Sequence, residues 1–247
     1  LVFALMALAA AFFVNAQEDG GRPGARDVFV IPVSGTVDPG MAAFLERACR
    51  EATEAENSLV IFEVNTFGGR VDSALEIVDT LLTVPAEQSV AFVKKKAISA
   101  GALIALSCGE LVMRPATTIG DCAPIIYSQE GPKMMGEKFQ SPIRAKFRAL
   151  AKRNGYPEAL AEAMVTPEKV VYAVEIDGDT SFMDSQAFED LTLSEKERVA
   201  AKRTVVEKGE LLTMSAAEAL ELKFSSMTVS SIDEMLEKKG GGPFNRT

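Results

Sequence analysis

The chain has 247 residues, of which 47% are hydrophobic, and it has a formal net charge of −9. This length and composition suit one globular domain with a sizeable core and exclude a disordered chain. The acidic balance argues against a nucleic-acid-binding protein, because such proteins need clustered lysine and arginine to neutralise phosphates. The sequence contains no histidine, which excludes a Ser-His-Asp triad and any site that needs imidazole as a base or metal ligand.

The first sixteen residues are typical of a secretory signal peptide. Residues 1–14 are continuously apolar, and Val14-Asn15-Ala16 supplies a small-residue cleavage site. The run is too short to cross a bilayer unaided, although an uncleaved anchor is the alternative. Both interpretations place the domain outside the cytoplasm, either periplasmic or associated with the membrane. Residues 17–26 form a polar linker that contains glycine and proline.

Strand-like and helix-like segments alternate over residues 27–113. The predicted strands are 27–33, 58–64, 89–93 and 110–113. The predicted helices are 41–55, 71–82 and an apolar helix after Ser99 that ends with residues 103–108. This alternation predicts βαβ units around a mostly parallel sheet, and therefore an α/β fold. In such a sheet, functional groups gather at the carboxyl ends of the strands.

A serine stands at the turn between the third predicted strand and a small-residue helix. Ser99 is flanked by Ala97, Ala100 and Gly101, and its hydroxyl is expected near the unpaired amides of the helix start. Serine is also a preferred helix N-cap, so capping is the plainer interpretation and a nucleophile is the alternative. Without histidine, the base for such a nucleophile must be a lysine, a carboxylate or the α-amine.

Two glycines follow the second predicted strand. Gly68 and Gly69 are expected at the same edge of the sheet as Ser99, where the lack of a Cβ lets backbone amides approach a ligand. One interpretation is an oxyanion hole, in which the amides of Gly69 and Ala100 bind a carbonyl oxygen. The other is an ordinary βα turn whose glycines only permit a positive φ. The motif matches neither a dinucleotide fingerprint nor a Walker loop.

Residues 117–142 are predicted as an irregular active-site loop, before a helix that begins at Pro142. Lys133, Lys138 and Lys146 are the candidates for a catalytic base. Lys146 is predicted to face solvent in the middle of that helix. Spacing alone does not separate Lys133 from Lys138.

Three further features have a structural and a functional interpretation. The only basic run, Lys94 to Lys96, indicates a solvated loop, with a docking patch as the alternative. In the region 172–212, residues 172–182 and 205–212 indicate an inserted strand pair, either a solvated flap or an element for substrate gating or dimerisation. The three cysteines, Cys49, Cys108 and Cys122, match no metal-ligand spacing. We expect buried free thiols, although an oxidising compartment would permit one disulfide.

Four ordered motifs resemble those of the NfeD family. They are Asn65-Thr66-Phe67-Gly68-Gly69-Arg70-Val71-Asp72, Ile98-Ser99-Ala100-Gly101-Ala102-Leu103-Ile104-Ala105, Ile119-Gly120-Asp121-Cys122-Ala123-Pro124-Ile125 and Gly136-Glu137-Lys138. The family includes the stomatin-operon partner protease, and its protease domain belongs to the ClpP/crotonase superfamily. The resemblance covers residues 27–236 and implies a ClpP/crotonase-like core of repeated β-β-α and βαβ units. That core has a mostly parallel sheet and an inserted β-hairpin and helix flap.

The resemblance also implies a serine endopeptidase with a Ser-Lys dyad and with no metal or other cofactor. It assigns Ser99 as the nucleophile and Lys138 as its base, with the amides of Gly69 and Ala100 as the oxyanion hole. Gly68 and Phe67 would then contact the substrate. The implied substrate is a hydrophobic, membrane-proximal polypeptide segment, with stomatin-like proteins as the expected class. A homodimer or higher homo-oligomer is expected.

The expected domains are a signal peptide (1–16), a linker (17–26), the protease domain (27–238) and a flexible tail (239–247). Many relatives continue into membrane helices and a small C-terminal β-barrel, so the chain is either a stand-alone protease or lacks a membrane half. Phe67 stands where many relatives have proline, so the lip beside the oxyanion hole is expected to differ. Two other functions stay open. One is a weak or inactive binding module that scaffolds a stomatin-type membrane protein, and the other is an acyl-CoA enzyme, which a secreted location without CoA disfavours.

Overall fold

The structure is a computed structural model, and it describes residues 26–55, 58–240 and 244–246. The predicted signal peptide and the linker up to residue 25 therefore lie outside the described residues. Among the helices of these ranges, none is long and apolar enough to span a bilayer.

Within the described residues, eight strands form a central sheet and five more form two small sheets. The central strands are β1 (Arg26–Ser34), β2 (Leu59–Thr66), β3 (Ser89–Ile98), β4 (Glu110–Met113), β5 (Thr118–Gly120), β11 (Thr213–Ser215), β12 (Met227–Thr228) and β13 (Phe244–Arg246). The others are β6 (Ile125–Ser128), β7 (Gly131–Met134), β8 (Val171–Ile176), β9 (Asp179–Asp184) and β10 (Val199–Val206). The helices are α1 (Pro39–Glu54), α2 (Val71–Leu81), α3 (Ala100–Ser107), α4 (Glu137–Asn154), α5 (Glu158–Ala163), α6 (Ser185–Glu189), α7 (Leu193–Glu197), α8 (Ala216–Glu221) and α9 (Ile232–Lys239), with a 3-10 turn at Ala86–Gln88.

The central sheet confirms the predicted α/β fold with mostly parallel strands. Its order is β11-β5-β3-β2-β1-β13, with β4 beside the first half of β3 and β12 beside β4. The pairs β1–β2, β2–β3 and β3–β4 are parallel, whereas β11 runs antiparallel to β5. β3 pairs with β4 over residues 90–93 and then with β5 over residues 96–98. The carboxyl end of β3 therefore lies inside the sheet and leads directly to Ser99.

The two faces of the sheet are covered unequally. One face packs against the helical layer in the main hydrophobic core, and all eight residues of α3 are buried there. A helix that is apolar on every side requires such complete burial. On the other face, Ile232, Met235 and Leu236 of α9 pack in a smaller cluster with residues such as Val90 and Phe92. The α9 face is therefore apolar only near the amino ends of its strands.

β3 is longer than predicted and includes the basic run. The prediction that Lys94 to Lys96 form a loop is wrong, because the strand continues to Ile98. Val64 of β2 pairs with Val93, whereas Thr66 pairs with Ala97, so a two-residue step in β2 opposes a four-residue step in β3. The lysines therefore lie in a bulged part of the strand. A pattern of hydrophobic residues does not predict this continuation, because the residues in it are charged.

Residues 117–142 are more regular than the predicted loop. β5 extends the central sheet, and β6 and β7 form a separate antiparallel hairpin. α4 begins at Glu137 rather than at Pro142, which places Lys138 in its first turn. Proline is common at the first helical position, and this preference suggested the wrong helix start.

The insertion and the C-terminus also differ from their predictions. β8 pairs with both β9 and β10, so the region 172–212 contains three strands rather than two. The second predicted strand, 205–212, is wrong because β10 ends at Val206. Residues 244–246 form β13 beside β1, so the predicted flexible tail is wrong for those residues.

An ion-pair network joins this insertion to the helical layer. Lys169 Nζ lies 2.7 Å from a carboxylate oxygen of Glu162 and 2.5 Å from one of Asp184. Arg148 reaches the other oxygen of Glu162 at 2.6 Å. Asp184 also caps α6 by accepting a hydrogen bond from the amide of Ala187. The network therefore links α4 and α5 to the β8–β10 sheet.

Close packing between the turns before α1 and α2 depends on one glycine. A Cβ added to Gly69 would lie 2.2 Å from the carbonyl oxygen of Val37 and 2.7 Å from its nitrogen. Across the same contact, the Val37 amide donates to the Gly68 carbonyl at 3.0 Å and the Arg70 amide donates to the Val37 carbonyl at 2.8 Å. Because the obstructing atoms are backbone, no side-chain rotation relieves this clash.

We expect Gly69→Ala to destabilise the fold by about 1–3 kcal/mol, the usual cost of overpacking. The change is measured as the free energy of unfolding in urea. Gly136→Ala is the matched control, because a Cβ there meets no atom within 4 Å. Equal stability of the two variants would contradict the close contact at Val37.

The Lys169–Asp184 pair predicts a loss of stability in acid. Burial opposes ionisation of Asp184, but the hydrogen bonds from Lys169 and the Ala187 amide outweigh it and lower the pKa of the carboxyl. A carboxyl with a lowered pKa in the folded state stabilises the fold above its unfolded pKa, and this stability is lost as the pH falls through the folded value. We expect Asp184→Asn to reduce the unfolding free energy at pH 7 by about 1–3 kcal/mol.

The measurement is urea unfolding at pH 7 and pH 3, where the difference between wild type and Asp184→Asn should shrink. Asp79→Asn is the control, because Asp79 forms an exposed pair with Lys146. A wild-type advantage that is the same at both pH values would contradict the assignment.

Candidate active site

The backbone of Ser99 has a conformation that helix caps do not normally adopt. Its φ is 56° and its ψ is −123°, a region that costs about 1–3 kcal/mol for a residue with a side chain. An N-cap residue is usually extended, and its side-chain oxygen accepts a hydrogen bond from a helix amide. Ser99 makes no such bond. The capping interpretation is therefore wrong, and the hydroxyl is not occupied by the helix.

Hydrogen bonds on both sides hold Ser99 in this conformation. Its amide donates to the carbonyl of Gly120 at 3.0 Å, and its carbonyl accepts from the amide of Ala102 at 2.9 Å. The thiol of Cys122 also donates to the Ser99 carbonyl, at 3.3 Å. This contact was not predicted from the sequence. The only signal for it was the position of Cys122 two residues after Gly120 in the third motif.

Two backbone amides beside Ser99 have no acceptor within the part of the chain that the structure describes. The amide of Gly69 is not used in the bridge to Val37. The amide of Ala100 belongs to the first residue of α3, where no intrahelical acceptor exists. A Cβ on Gly68 would lie 2.8 Å from Ser99 Cβ and 3.0 Å from the Ala100 nitrogen. The structure therefore brings the two predicted turns into direct contact.

A small apolar pocket opens beside the serine. It has a volume of about 30 Å³ and is lined by Gly69, Val71, Ala74, Ser99, Ala100, Leu103, Cys122, Pro124, Ile143 and Phe147. Its walls come from α2, α3 and α4 and from the segment between β5 and β6. A larger groove of about 780 Å³ lies between α1 and α2, but Ser99 and the unpaired amides do not line it. The small pocket is therefore the candidate site.

An exposed aromatic ring directly precedes Gly68 in the chain, although it is not among the residues that line the pocket. Phe67 is 71% exposed, and the Nζ of Lys96 lies 3.4 Å from the centroid of its ring. A cation over an aromatic face is attracted by the ring quadrupole and restrains the ring. Other large apolar side chains exposed at the pocket and on the adjoining hairpin and helix are Val71, Ile125, Ile126, Met134 and Phe139.

Lys138 is the unpaired member of the three candidate lysines. It is exposed in the first turn of α4, outside the lining of the small pocket. Lys133 pairs with Glu130, and Lys146 pairs with Asp79. Within the described ranges, Lys138 forms no ion pair and no side-chain hydrogen bond. The three lysines therefore differ in their ion pairs, and the assignment of Lys138 as the base stays a prediction.

The cysteines are buried free thiols, as predicted. Burial raises the pKa of Cys49 to about 12 and also raises the pKa of Cys108 and Cys122. A thiol that does not ionise is a poor nucleophile and a poor metal ligand. Within the described residues, no group of three or more His, Cys, Asp or Glu is placed to hold a metal ion. Ser99 therefore remains the candidate nucleophile.

Comparison with known proteins identifies relatives of the chain. The family model for the N-terminal domain of NfeD1b matches residues 27–197. The chain is 30% identical over 213 residues to the membrane protein NfeD1b of Bacillus subtilis, covering 86% of this chain and 41% of that protein. It is also 30% identical over 145 residues to the membrane-bound protease PH1510 of Pyrococcus horikoshii, covering 57% and 33% respectively. The chain thus spans less than half the length of these curated relatives.

Solved structures share the fold. A mutant of the 1510-N membrane-bound stomatin-specific protease, in complex with a substrate peptide, has a TM-score of 0.67 at 20% identity, covering 90% of this chain and 91% of that one. ClpP1 from Listeria monocytogenes has a TM-score of 0.53 at 14% identity, covering 83% and 94%. At these identities the likeness establishes a ClpP-like fold alone. Together with the family match, it shows that this chain belongs to the NfeD family, with an NfeD1b-type N-terminal domain on a ClpP-like α/β scaffold.

Proposed function

We propose that this domain is a serine endopeptidase in which Ser99 attacks a peptide carbonyl and Lys138 is the general base. The observation that supports it is a strained, uncapped serine beside two unpaired amides. A strained strand-to-helix turn is one way in which hydrolases present a nucleophilic hydroxyl. The similarity to PH1510, which is a membrane-bound protease, agrees with a peptidase role.

The two unpaired amides have a role in this reaction. Attack on the carbonyl carbon places a negative charge on its oxygen, and N–H groups fixed around that oxygen stabilise the transition state. Gly69 and Ala100 would supply these donors, and removing one such donor typically costs about 3 kcal/mol. Gly68 and Phe67 would contact the substrate backbone beside the scissile bond.

A lysine base needs an environment without water. The ordinary pKa of lysine is about 10.4, so about four molecules in ten thousand have a neutral amine at pH 7. Apolar cover favours the neutral form. Lys138 is exposed, and neighbouring Met134 and Phe139 are about half exposed. We infer that a bound substrate completes this cover.

The proposed cycle balances its protons. The neutral amine of Lys138 accepts the proton of the Ser99 hydroxyl as the new C–O bond forms, and the resulting ammonium donates it to the departing amine as the C–N bond breaks. The same lysine then deprotonates a water that attacks the acyl carbon, and the ammonium returns this proton to the Ser99 oxygen as the bond between the acyl carbon and that oxygen breaks.

The apolar side chains around the site favour a hydrophobic polypeptide segment as substrate. The 1510-N relative is a stomatin-specific protease, so we propose a membrane-proximal segment of a stomatin-like protein. An extended segment could pair with a free strand edge of the β6–β7 hairpin, which pairs with no third strand within the described residues.

A second candidate function is a catalytically inactive module that binds such a protein. The position of Lys138, exposed and outside the lining of the pocket, favours this alternative, because a general base must come within hydrogen-bond reach of the hydroxyl. The two functions share the same binding surface and differ in the reactivity of Ser99.

Labelling with a fluorophosphonate probe at pH 8–9 distinguishes them. We expect wild type to be labelled and Ser99→Ala to be unlabelled, because the probe requires a reactive hydroxyl. Lys138→Ala should lower the labelling rate by about 10²–10⁴-fold, the usual contribution of a positioned base.

Lys152→Ala is the matched control, because Lys152 is also exposed on α4 and is unpaired within the described residues. It should label like wild type. Labelling that persists in Ser99→Ala would exclude this serine, and an unlabelled wild type would favour the binding module.

The volume of the pocket limits the size of the substrate side chain that it accepts, and we assign this pocket to the residue that precedes the cleaved bond. A space of about 30 Å³ admits a small apolar side chain, so peptides with alanine or valine there should be cleaved faster than those with phenylalanine. Val71→Ala should reduce the ratio of kcat/KM between the alanine or valine peptides and the phenylalanine peptides by about tenfold. One or two methylene groups in a pocket give about 10–200-fold discrimination. The measurement is kcat/KM for a matched peptide series, and a preference for phenylalanine in wild type would contradict it.

A further inference from the structure

Four cations lie together at the carboxyl ends of two neighbouring strands. Lys94, Lys95 and Lys96 belong to β3, and Arg114 directly follows β4. The Arg114 amide donates to the carbonyl of Val93, which fixes its backbone beside the start of this run. We call these four residues the basic patch.

Alternation along the strands places most of this patch on the α9 face. Phe92 and Val112 belong to the apolar cluster under α9, so Lys94 and Arg114, each two residues further on, face the same side. Lys96 precedes Ala97, which is buried in the opposite cluster, and therefore also faces the α9 side. The patch begins where the cover by α9 ends.

The charges of this patch are mostly unpaired. Lys94 forms an ion pair with Glu63 at 2.8 Å. Lys95, Lys96 and Arg114 have no carboxylate partner within the described residues, although fourteen ion pairs occur there. The Nε of Arg114 is buried and has no hydrogen-bond acceptor among the residues that the structure describes. A buried donor without a partner is costly, so an acceptor supplied to this nitrogen would be favourable.

Two contacts connect the patch to the turn that packs against Ser99. Lys96 lies over the ring of Phe67, and Phe67 adjoins Gly68, which packs against Ser99. Lys96 is therefore the patch residue next to Phe67, and Arg114 follows Met113, which pairs with Val93 of the same strand. Since the protein as a whole has a net charge of −9, it repels acidic segments elsewhere and attracts them here.

We propose that the basic patch binds acidic side chains of the polypeptide substrate on the Phe67 side of the scissile bond. This inference rests on the proposed peptidase function and specifies its substrate as an apolar segment followed or preceded by Asp or Glu. A carboxylate fits the patch because the guanidinium of Arg114 and the ammonium groups of Lys95 and Lys96, which have no carboxylate partner within the described residues, supply donors only. Arginine also binds carboxylates through two parallel hydrogen bonds.

The test measures peptide binding to the full chain with Ser99→Ala, so that turnover is not required. The fluorescein-labelled peptides share one apolar core. One peptide has two Glu residues before the core and another has them after it. In the control peptides, Gln replaces both Glu residues. Fluorescence anisotropy gives each Kd at low and high salt. We expect one of the two Glu peptides to bind at least about fivefold tighter than its Gln control. This difference in Kd should fall in 0.5 M salt.

Substitutions in the patch should remove the preference. Lys96→Gln and Arg114→Gln should equalise the Glu and Gln peptides, and Lys96→Glu should favour a peptide with Lys at the same positions. Lys152→Gln on α4 is the control and should keep the wild-type preference. If Arg114→Gln does not fold, the two Lys96 variants still decide the question.

Equal binding of Glu and Gln peptides overturns the inference, as does a preference that persists in both Lys96 variants. Binding to phosphatidylglycerol vesicles that Lys96→Glu abolishes, without any peptide preference, would assign the patch to a lipid surface instead. Probe labelling of Ser99 tests the peptidase separately. If the protein prefers Glu peptides but Ser99 is not labelled, the basic patch binds acidic segments and the peptidase proposal is wrong. If Ser99 is labelled but Glu and Gln peptides bind equally, the peptidase proposal stands and the inference about the patch is wrong.

Discussion

The packing of one βα turn against another is the constraint on which the site depends. Gly68 lies so close to Ser99 and Ala100 that a Cβ would lie 2.8 Å from Ser99 Cβ. Gly101 approaches the other side of the contact, where a Cβ would lie 2.5 Å from Thr66 Cγ2. Such an approach leaves no space for side chains, so backbone amides remain as the polar groups that face the serine. The strain at Ser99 is offset by hydrogen bonds to both sides of its peptide unit and by the complete burial of α3.

The two faces of the sheet have different roles because their covers differ. Helices exclude water from one face over its whole length, and this apolar layer fixes α3 and the serine that precedes it. α9 covers only part of the other face. There β3 continues beyond the apolar cluster as a bulged, basic strand. The same strand therefore supplies both the rigid support for Ser99 and a charged surface near it.

The sequence predicted features that depend on local patterns and missed those that depend on tertiary contacts. The order of β1 to β4 and the positions of Ser99 and Gly69 followed from periodicity, strand ends and turn residues. The continuation of β3 through Lys94 to Lys96 did not, since a basic strand is stable only where its neighbours accommodate the charge. β13 was missed because its pairing partner is the first strand of the sheet, more than two hundred residues earlier.

The proposed nucleophile and its proposed base lie on elements held in different ways. Ser99 and the two amides are fixed by the central sheet and by a buried helix. Lys138 is on the first turn of α4, which follows a hairpin that pairs with no central strand within the described residues. Two hydrogen bonds hold this junction. The Met135 amide donates to the Pro124 carbonyl, and the Gln140 side-chain amide donates to the Met135 carbonyl. Segments with few buried contacts open and adjust at low free-energy cost. In the proposed reaction, the rigid part defines where the carbonyl binds, and the adjustable part allows the lysine to lose its contact with water only when a substrate is present.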